Sequence, residues 1–363
     1  MNENRNLILS IILSIIILVS FEFYTAWRYP ATEPKVETKP HADTINPNKS
    51  QGPLPEPTNA PDSPPSVPRT TSTALENISS LSREAILKKN KRIQILSPNL
   101  TGSLSLMGGR IDDLILSKYH EELDKTSPAI VLLSPSGTDK PYFADFGWIG
   151  EDIALPTSKT LWSTSSKILS PDKPVTLTWN NGQGLIFKRT YSIDNNYMFR
   201  ISQSVENGSK ETVTLYPYGL TSRHGMPQVT GFYILHEGLL GVFNKTLQEV
   251  DYSDLQETNV ITNDTTGGWL GITDKYWLVA LIPDQKAPVN TRFSYRNDNG
   301  FEKFQADFLG APMSIKAGSS GEIISHLFTG AKEVKVLDQY EIDLGISLFD
   351  RAIDFGWFYF LTK

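Results

Sequence analysis

The sequence predicts a mainly β protein, in which a large antiparallel β domain follows one membrane-spanning helix and is closed by short amphipathic helices. Three observations support this class. Between about residues 91 and 330, apolar residues recur with a period of two, which is typical of strands with one buried face. Clusters of Gly, Asn and Asp separate these stretches, and almost no helical stripe interrupts them. About 240 residues can form one sandwich or other twisted β architecture.

Composition excludes several classes of protein. The 363 residues carry a formal net charge of -6, so no clustered basic surface for nucleic acid is expected. There is no cysteine, which removes disulfides, thiolate metal sites and Cys nucleophiles. With 39% hydrophobic residues and a mean hydropathy of -0.25, most of the chain is predicted to lie in water.

The first element, residues 1–28, is predicted to be a membrane anchor. The apolar run LILSIILSIIILVSF begins at Leu7, and counting to Trp27 gives a helix about 31 Å long, enough to span a bilayer. No small-x-small cleavage pattern follows it, which favours an uncleaved anchor over a signal peptide. Charge alone leans slightly toward a cytoplasmic N-terminus. The residues assigned to the anchor are Leu7, Ile11, Ile15, Leu18 and Trp27.

The second element, residues 29–80, is predicted to be a disordered linker. Eleven of the 23 prolines fall between Pro30 and Pro68, with almost no aliphatic residues among them. Such a segment cannot bury enough apolar surface to offset its ordering entropy. We interpret it as a spacer and not as a PxxP ligand, because any Pro-rich linker contains that pattern by chance.

The third element, residues 81–346, is the predicted β domain. It opens with a short helix over 82–90, for which Ser82 is the N-cap. The alternating apolar residues that follow are Ile93/Ile95, Leu104/Leu106, Leu177/Trp179, Phe187/Tyr191 and Phe199/Ile201/Val205. The predicted turns lie at 108–109, 180–182, 194–196, 207–208, 297–300 and 318–321.

A closing helix is predicted over 331–344. Its apolar residues are three, three and four positions apart, which describes one face of an amphipathic helix that ends at Gly345. This face is also a candidate partner-facing surface. It consists of Val334, Leu337, Tyr340 and Leu344.

The last element, residues 347–363, is dense in aromatic side chains. Composition allows either a helix that docks on the core or an interfacial helix, because amphipathic aromatic rings favour the headgroup level of a membrane. The residues assigned to this interfacial helix are Phe349, Ile353, Trp357, Phe358, Tyr359 and Phe360.

The sequence offers little catalytic chemistry. His236 and Glu237 begin HEGLL, but Leu240 stands where a zincin needs its second histidine. The five histidines show no metal-ligand spacing, and no nucleophile elbow or phosphate-binding loop occurs. We therefore expect no catalytic, metal or cofactor residue. An alternative pairs His224 with His236 and Glu237 as the acid and base of a sugar epimerase.

The stretch GGWLGITDKYW at 267–277 is rich in glycine and aromatic residues. Trp269, Tyr276 and Trp277 are candidates to line a cleft, whereas core filling between sheets is the interpretation that we favour.

Four features together resemble the YidC-type bacterial membrane protein insertases, in the form found in α-proteobacteria. They are Asn4-Arg5-Asn6 before an uncleaved apolar span, the Pro-rich linker, GGWLGITDKYW, and above all LFDRAIDFGWFYFLTK at 348–363. The last motif is highly specific. The resemblance implies a cytoplasmic N-terminus in the bacterial inner membrane and a large periplasmic β-supersandwich similar to galactose-mutarotase-like folds. It also implies a closing helix at 331–344 and an interfacial helix at 348–361 that leads toward a second membrane span.

The same resemblance implies the function. In the family, insertase activity resides in five further membrane helices, so we expect this chain to be a fragment that carries the anchor and the periplasmic domain. It would couple the insertase to the Sec translocon. The expected partners are the translocon with its accessory subunits, nascent membrane proteins and the lipid bilayer. No enzymatic activity, cofactor or nucleic-acid partner is expected. The alternatives are a membrane-tethered carbohydrate-binding or epimerase-like β-sandwich and a periplasmic holdase with an apolar cleft.

Overall fold

Nineteen strands form two sheets in the part of the chain that the structure, a computed structural model, describes: residues 66–68, 82–227 and 235–354. In chain order the first ten strands are β1 (Arg92–Leu96), β2 (Leu100–Ser105), β3 (Ile111–His120), β4 (Ala129–Leu133), β5 (Tyr142–Ile149), β6 (Ile168–Leu169), β7 (Val175–Asn180), β8 (Leu185–Ile193), β9 (Met198–Asn207) and β10 (Val213–His224). The remaining strands are β11 (Gly238–Phe243), β12 (Thr246–Asp251), β13 (Val260–Thr266), β14 (Trp269–Thr273), β15 (Trp277–Ile282), β16 (Pro288–Asp298), β17 (Phe301–Gly310), β18 (Met313–Ile315) and β19 (Ser320–Ala331). The helices are α1 (Arg83–Leu87), α2 (Tyr252–Thr258), α3 (Val334–Leu344) and a 3-10 helix (Phe349–Ala352).

The two sheets differ in size. The larger has eleven strands in the order β13-β16-β17-β10-β5-β3-β2-β1-β6, with β18 paired to β10 and β4 paired to β3. The smaller has eight strands in the order β12-β11-β14-β15-β19-β9-β8-β7. Within the described residues every named strand pair is antiparallel except β1 with β6. The predicted mainly β, antiparallel class is confirmed.

In strands such as β8, the apolar residues that recur with a period of two form the buried face. In β8 every second residue from Leu185 to Ile193 is buried, and Tyr191 pairs with Ile201 of β9. Turn chemistry then sets the register. Asn299 and Gly300 both have positive φ, at 54° and 88°, and they join β16 to β17 in a two-residue turn within the predicted 297–300.

Side chains from both sheets build the main core. Phe146, Phe293 and Phe304 come from the larger sheet, Phe187 and Phe199 come from the smaller one, and each is at most 1% exposed. Burial of aromatic rings of this size supplies much of the hydrophobic stabilisation of such a domain.

Two helices differ from expectation. The predicted closing helix begins at Val334, not at 331, because β19 continues to Ala331 and pairs there with Trp277. Helix α2 was not predicted, since it buries only Tyr252 and Leu255 and so gives no stripe over several turns. The cap positions were predicted correctly: the Ser82 hydroxyl accepts from the Ala85 amide, and Gly345 ends α3 with a φ of 66°.

Several predicted segments lie outside the described residues. They are the anchor 1–28 with Leu7, Ile11, Ile15, Leu18 and Trp27, most of the linker 29–80, and residues 355–363 with Trp357, Phe358, Tyr359 and Phe360. Within residues 66–68, 82–227 and 235–354, no helix has the length and apolar character needed to cross a membrane.

The linker prediction needs correction at one point. Ser66–Pro68 lies within the predicted spacer 29–80, but the structure places it on the β domain, and Val67 is only 4% exposed. The composition of the segment concealed this contact, because a single valine gives no periodic signal.

Candidate functional site

The segment that leaves the β domain toward the C-terminus, which we call the junction (residues 332–354), is packed into the smaller sheet. The ring of Phe349 has no exposed surface, and it meets Trp269 and Phe328 edge-to-face at centroid distances of 5.3 and 5.5 Å. The Trp269 indole N–H also donates to the Ser347 carbonyl at 3.2 Å. Phe349 therefore belongs to the core, which corrects its assignment to an interfacial helix. Ile353 is half-buried against the same core.

Helix α3 turns its apolar face toward its own domain. Leu337 is fully buried and Tyr340 is 7% exposed, while Val334 and Leu344 are half-buried. The chain itself covers Leu337 and Tyr340, so these two residues of the predicted partner-facing surface are corrected to core positions, while the prediction for Val334 and Leu344 stays a prediction. The exposed side of α3 instead presents Ile342, which is 76% exposed. In the sequence, Ile342 is only an apolar residue that does not belong to the predicted apolar face of the helix.

Tyrosine hydroxyls and carboxylates fix the start of α3. Tyr119 from β3 and Tyr197 donate to the same Glu333 oxygen, Oε1, at 3.1 and 2.7 Å. The Tyr340 hydroxyl donates to Asp194 Oδ2 and accepts from the Tyr197 amide. Burial, reinforced by the Glu333 carboxylate, raises the pKa of Tyr197 far above its usual value, so the hydroxyl stays protonated and remains a donor.

Replacement of Glu333 by Ala should lower the free energy of unfolding by about 1–3 kcal/mol, because two hydroxyls lose their acceptor. Glu333→Gln should cost less, since its carbonyl oxygen can still accept. Urea unfolding of the full chain in detergent, followed by Trp fluorescence, measures both. Glu257→Ala on the exposed side of α2 is the matched control. Equal stability of the Glu333→Ala and Glu257→Ala chains would show that the network is energetically neutral.

The three aromatic residues proposed for a cleft fall into two groups, because Tyr276 and Trp277 meet edge-to-face at 6.0 Å while Trp269 packs on Phe349. Trp269 is 1% exposed and fills the core, which is the interpretation that we favoured. Trp277 packs edge-to-face on Tyr119 at 5.0 Å, away from the Phe349 ring that Trp269 contacts. Tyr276 is 58% exposed, and the Lys275 ammonium lies 5.0 Å from its ring centroid.

The residues of the epimerase alternative have different neighbours. The His224 ring packs edge-to-face on Phe143, whereas His236 and Glu237 precede β11 of the smaller sheet. The imidazole of His236 contacts Asp251 Oδ1 at 3.2 Å and the Leu239 carbonyl at 3.0 Å, and Glu237 accepts from the Lys275 amide. In the described part of the chain, no three His, Cys, Asp or Glu side chains are grouped so that they could hold a metal ion.

A second cluster lies on the face of the larger sheet that points away from the main core, which we call the outer face. It contains Phe143 of β5, Tyr218 and Leu220 of β10, and Leu309 of β17. The neighbouring residues of β5, such as Tyr142, contribute to the main core, so successive side chains point to opposite faces.

Buried charges accompany these apolar side chains on the outer face. Arg110 places its guanidinium carbon 4.0 Å from the Phe143 ring centroid and pairs with Asp145 at 3.2 Å. Arg292 pairs with Asp307, which is only 2% exposed. Sequence analysis missed this face, because its residues come from strands that are distant in the sequence.

The family model and the curated relatives that match this chain name the same family. A family model described as the YidC periplasmic domain matches residues 92–363. The membrane protein insertase YidC of Methylobacterium radiotolerans is 42% identical over 384 residues, covering 100% of this chain and 60% of that protein. The protein of the same name from Beijerinckia indica is 44% identical over 99% of this chain and 60% of its own length. This chain thus spans about 60% of the length of these curated relatives.

Solved structures show a weaker likeness. A galactose mutarotase-like protein from Lactobacillus casei aligns with a TM-score of 0.42 and 11% identity, over 66% of this chain and 99% of that chain. A putative aldose 1-epimerase from Escherichia coli aligns with a TM-score of 0.39 and 12% identity, over 66% of this chain and 99% of its own. Values this low carry no argument about shared structure or activity.

Proposed function

Since this chain belongs to the YidC family, we propose that it forms the N-terminal anchor and the periplasmic domain of a membrane protein insertase. One observation carries the proposal: relatives named membrane protein insertase YidC align with 99–100% of this chain, so the similarity includes the anchor and the linker as well as the β domain. On this proposal the N-terminus is cytoplasmic and the β domain lies in the periplasm of a bacterial inner membrane.

The mechanical role of the domain follows from the junction. Phe349 and Tyr340 hold residues 334–352 against the smaller sheet, so the described chain stays attached to the domain up to the 3-10 helix. The aromatic sequence that follows suits a membrane interface. A fixed junction would hold the β domain at a defined position relative to that interface, without any covalent chemistry.

We propose a non-enzymatic role, supported by the separate contacts of the three groups: the His224 ring packs on Phe143, His236 contacts Asp251, and Glu237 accepts from the Lys275 amide. The carbohydrate or epimerase alternative would need these groups to converge. The holdase alternative needs an apolar cleft, and Trp269, one of the candidates to line a cleft, instead fills the core.

The partners that we propose are the Sec translocon with its accessory subunits, nascent membrane proteins and the lipid bilayer. The exposed side of α3 is our candidate contact with the translocon. A photoreactive residue at position 342 should give adducts with translocon subunits in intact cells. The same residue at Val260, an exposed position on the edge strand β13, serves as the control. Adducts of equal yield at both positions, or none at position 342, would remove this contact.

A chimaera tests the function. The aligned part of the Methylobacterium radiotolerans relative is replaced by this chain, and the product is expressed in cells depleted of their own insertase. We expect growth to be restored to the level of the unaltered relative. If the chimaera accumulates in the inner membrane and growth is not restored, the proposal fails.

A further inference from the structure

Val67 inserts into the outer face of the larger sheet. Its side chain packs against Phe143, Tyr218, Leu220 and Leu309, while Ser66 and Pro68 on either side of it are exposed. Of the three described residues of the Pro-rich segment, it is therefore the aliphatic side chain of Val67 that fills an apolar site on this face.

The outer face also binds the backbone of this segment. Arg292 Nη2 donates to the Val67 carbonyl at 3.1 Å and to Asp307 Oδ2 at 3.0 Å, and its Nε donates to the same carboxylate oxygen at 3.1 Å. Gln305 donates to that oxygen at 2.7 Å. Asp307 thus holds the guanidinium plane so that one N–H remains directed at the peptide, which gives a charge-assisted hydrogen bond.

The sequence of the segment favours an extended shape before it binds. A residue that precedes proline is excluded from the helical region by contact with the proline ring, and Val67 precedes Pro68. Because Pro68 is exposed, it stiffens the segment without filling a pocket. Stiff extended peptides lose less conformational entropy on binding, which is why aromatic-lined grooves commonly bind them.

Space for a longer peptide continues beside Leu309. A groove of about 440 Å³ is lined by Leu309, Tyr216, Asn290 and Gly310 among other residues, and Tyr216 also packs on the cluster that holds Val67. The site therefore combines an apolar pocket for one side chain, an arginine for a carbonyl, and an adjoining groove.

We propose that the outer face is a binding site for an extended Val-Pro peptide, and that Ser66–Pro68 of this chain occupies it in cis. With Ser66–Pro68 bound, the part of the predicted spacer that remains free is residues 29–65, whereas the whole predicted spacer is 29–80. At about 3.1 Å per residue, its maximum reach falls from about 160 Å to about 115 Å. Binding of the segment shortens the tether of the β domain and closes the outer face to other peptides.

Trypsin cleavage of the full chain in detergent tests the cis contact. Arg69 lies next to the bound segment, and Lys49 is an internal reference site in the same linker. We expect cleavage after Arg69 to be at least about tenfold slower than after Lys49 in the wild type, because a protease needs the bond in a detached segment. Val67→Asp should abolish this difference, and Val36→Asp, a matched change elsewhere in the linker, should preserve it.

Equal cleavage at both sites in the wild type, or protection of Arg69 that survives Val67→Asp, would overturn the cis contact. A cooperative thermal unfolding transition of the β domain shows that the Val67→Asp chain is folded. A fluorescein-labelled peptide with the sequence SPPSVPRTTS tests the site itself. It should bind the Val67→Asp chain at least about tenfold more tightly than the wild type, where the cis segment competes at high effective concentration. Equal affinity for both chains, or binding to neither, would overturn the peptide site.

Discussion

Replacement of Phe349 by Ala is expected to lower the free energy of unfolding of the β domain by about 3–5 kcal/mol, the usual cost of truncating a buried Phe. The ring has no exposed surface and contacts Trp269 and Phe328, so its loss leaves a cavity between the junction and the smaller sheet. For a domain of this size, the unfolding temperature should fall by about 10 °C.

Thermal unfolding of the full chain in detergent, followed by near-UV circular dichroism, measures this effect. Ile342→Ala is the matched control, because Ile342 lies in the same junction but is 76% exposed. The control should stay within about 0.5 kcal/mol of the wild type, as surface substitutions usually do. Equal stability of the two variants would mean that the junction does not depend on Phe349 for its attachment.

The second large effect is a loss of stability in mild acid, caused by two half-buried histidines. Burial, together with the positive charges of Lys303 and Arg110, lowers the pKa of His224 to about 4. Burial and Arg200 lower the pKa of His326 to about 4. The imidazole of an unfolded chain binds its proton near pH 6.5. Between pH 6.5 and 4, the unfolded state therefore binds more protons than the folded state, and stability falls as the pH falls.

At pH 5 each histidine should reduce the free energy of unfolding by up to about 2 kcal/mol relative to pH 7. Guanidinium unfolding of the full chain at these two pH values measures the loss. His224→Phe retains an aromatic ring against Phe143, and His326→Gln retains polarity at its site. Each variant should show about half of the wild-type loss, and the double variant should show little. An unchanged loss in the double variant would assign the acid sensitivity to other groups.

The features that sequence analysis predicted correctly are those determined by neighbouring residues. The alternation in β8 from Leu185 to Ile193, the Asn299-Gly300 turn and the end of α3 at Gly345 each follow from local backbone and side-chain preferences. These signals suffice for the class of fold. Local signals do not give the strand order. That order depends on pairings between strands distant in the sequence, such as β10 with β17, where Tyr218 pairs with Leu309.

The features that it missed depend on contacts between distant residues. Phe349 was grouped with the aromatic residues that follow it, because a protein core and a bilayer select the same apolar side chains. Glu333 begins a helix, and nothing near it in sequence indicates that Tyr119 and Tyr197 donate to its carboxylate. Val67 was hidden for the same reason, since its contacts lie between positions 143 and 309.

Insertion in vitro tests the central claim most directly. The chimaera of this chain with the Methylobacterium radiotolerans relative is reconstituted into proteoliposomes, and a newly synthesised single-span membrane protein is added. We expect a protease-protected fraction equal to that obtained with the unaltered relative, and none with empty liposomes. Protection no greater than in empty liposomes, from a chimaera whose β domain unfolds cooperatively, would contradict the assignment of this chain to an insertase.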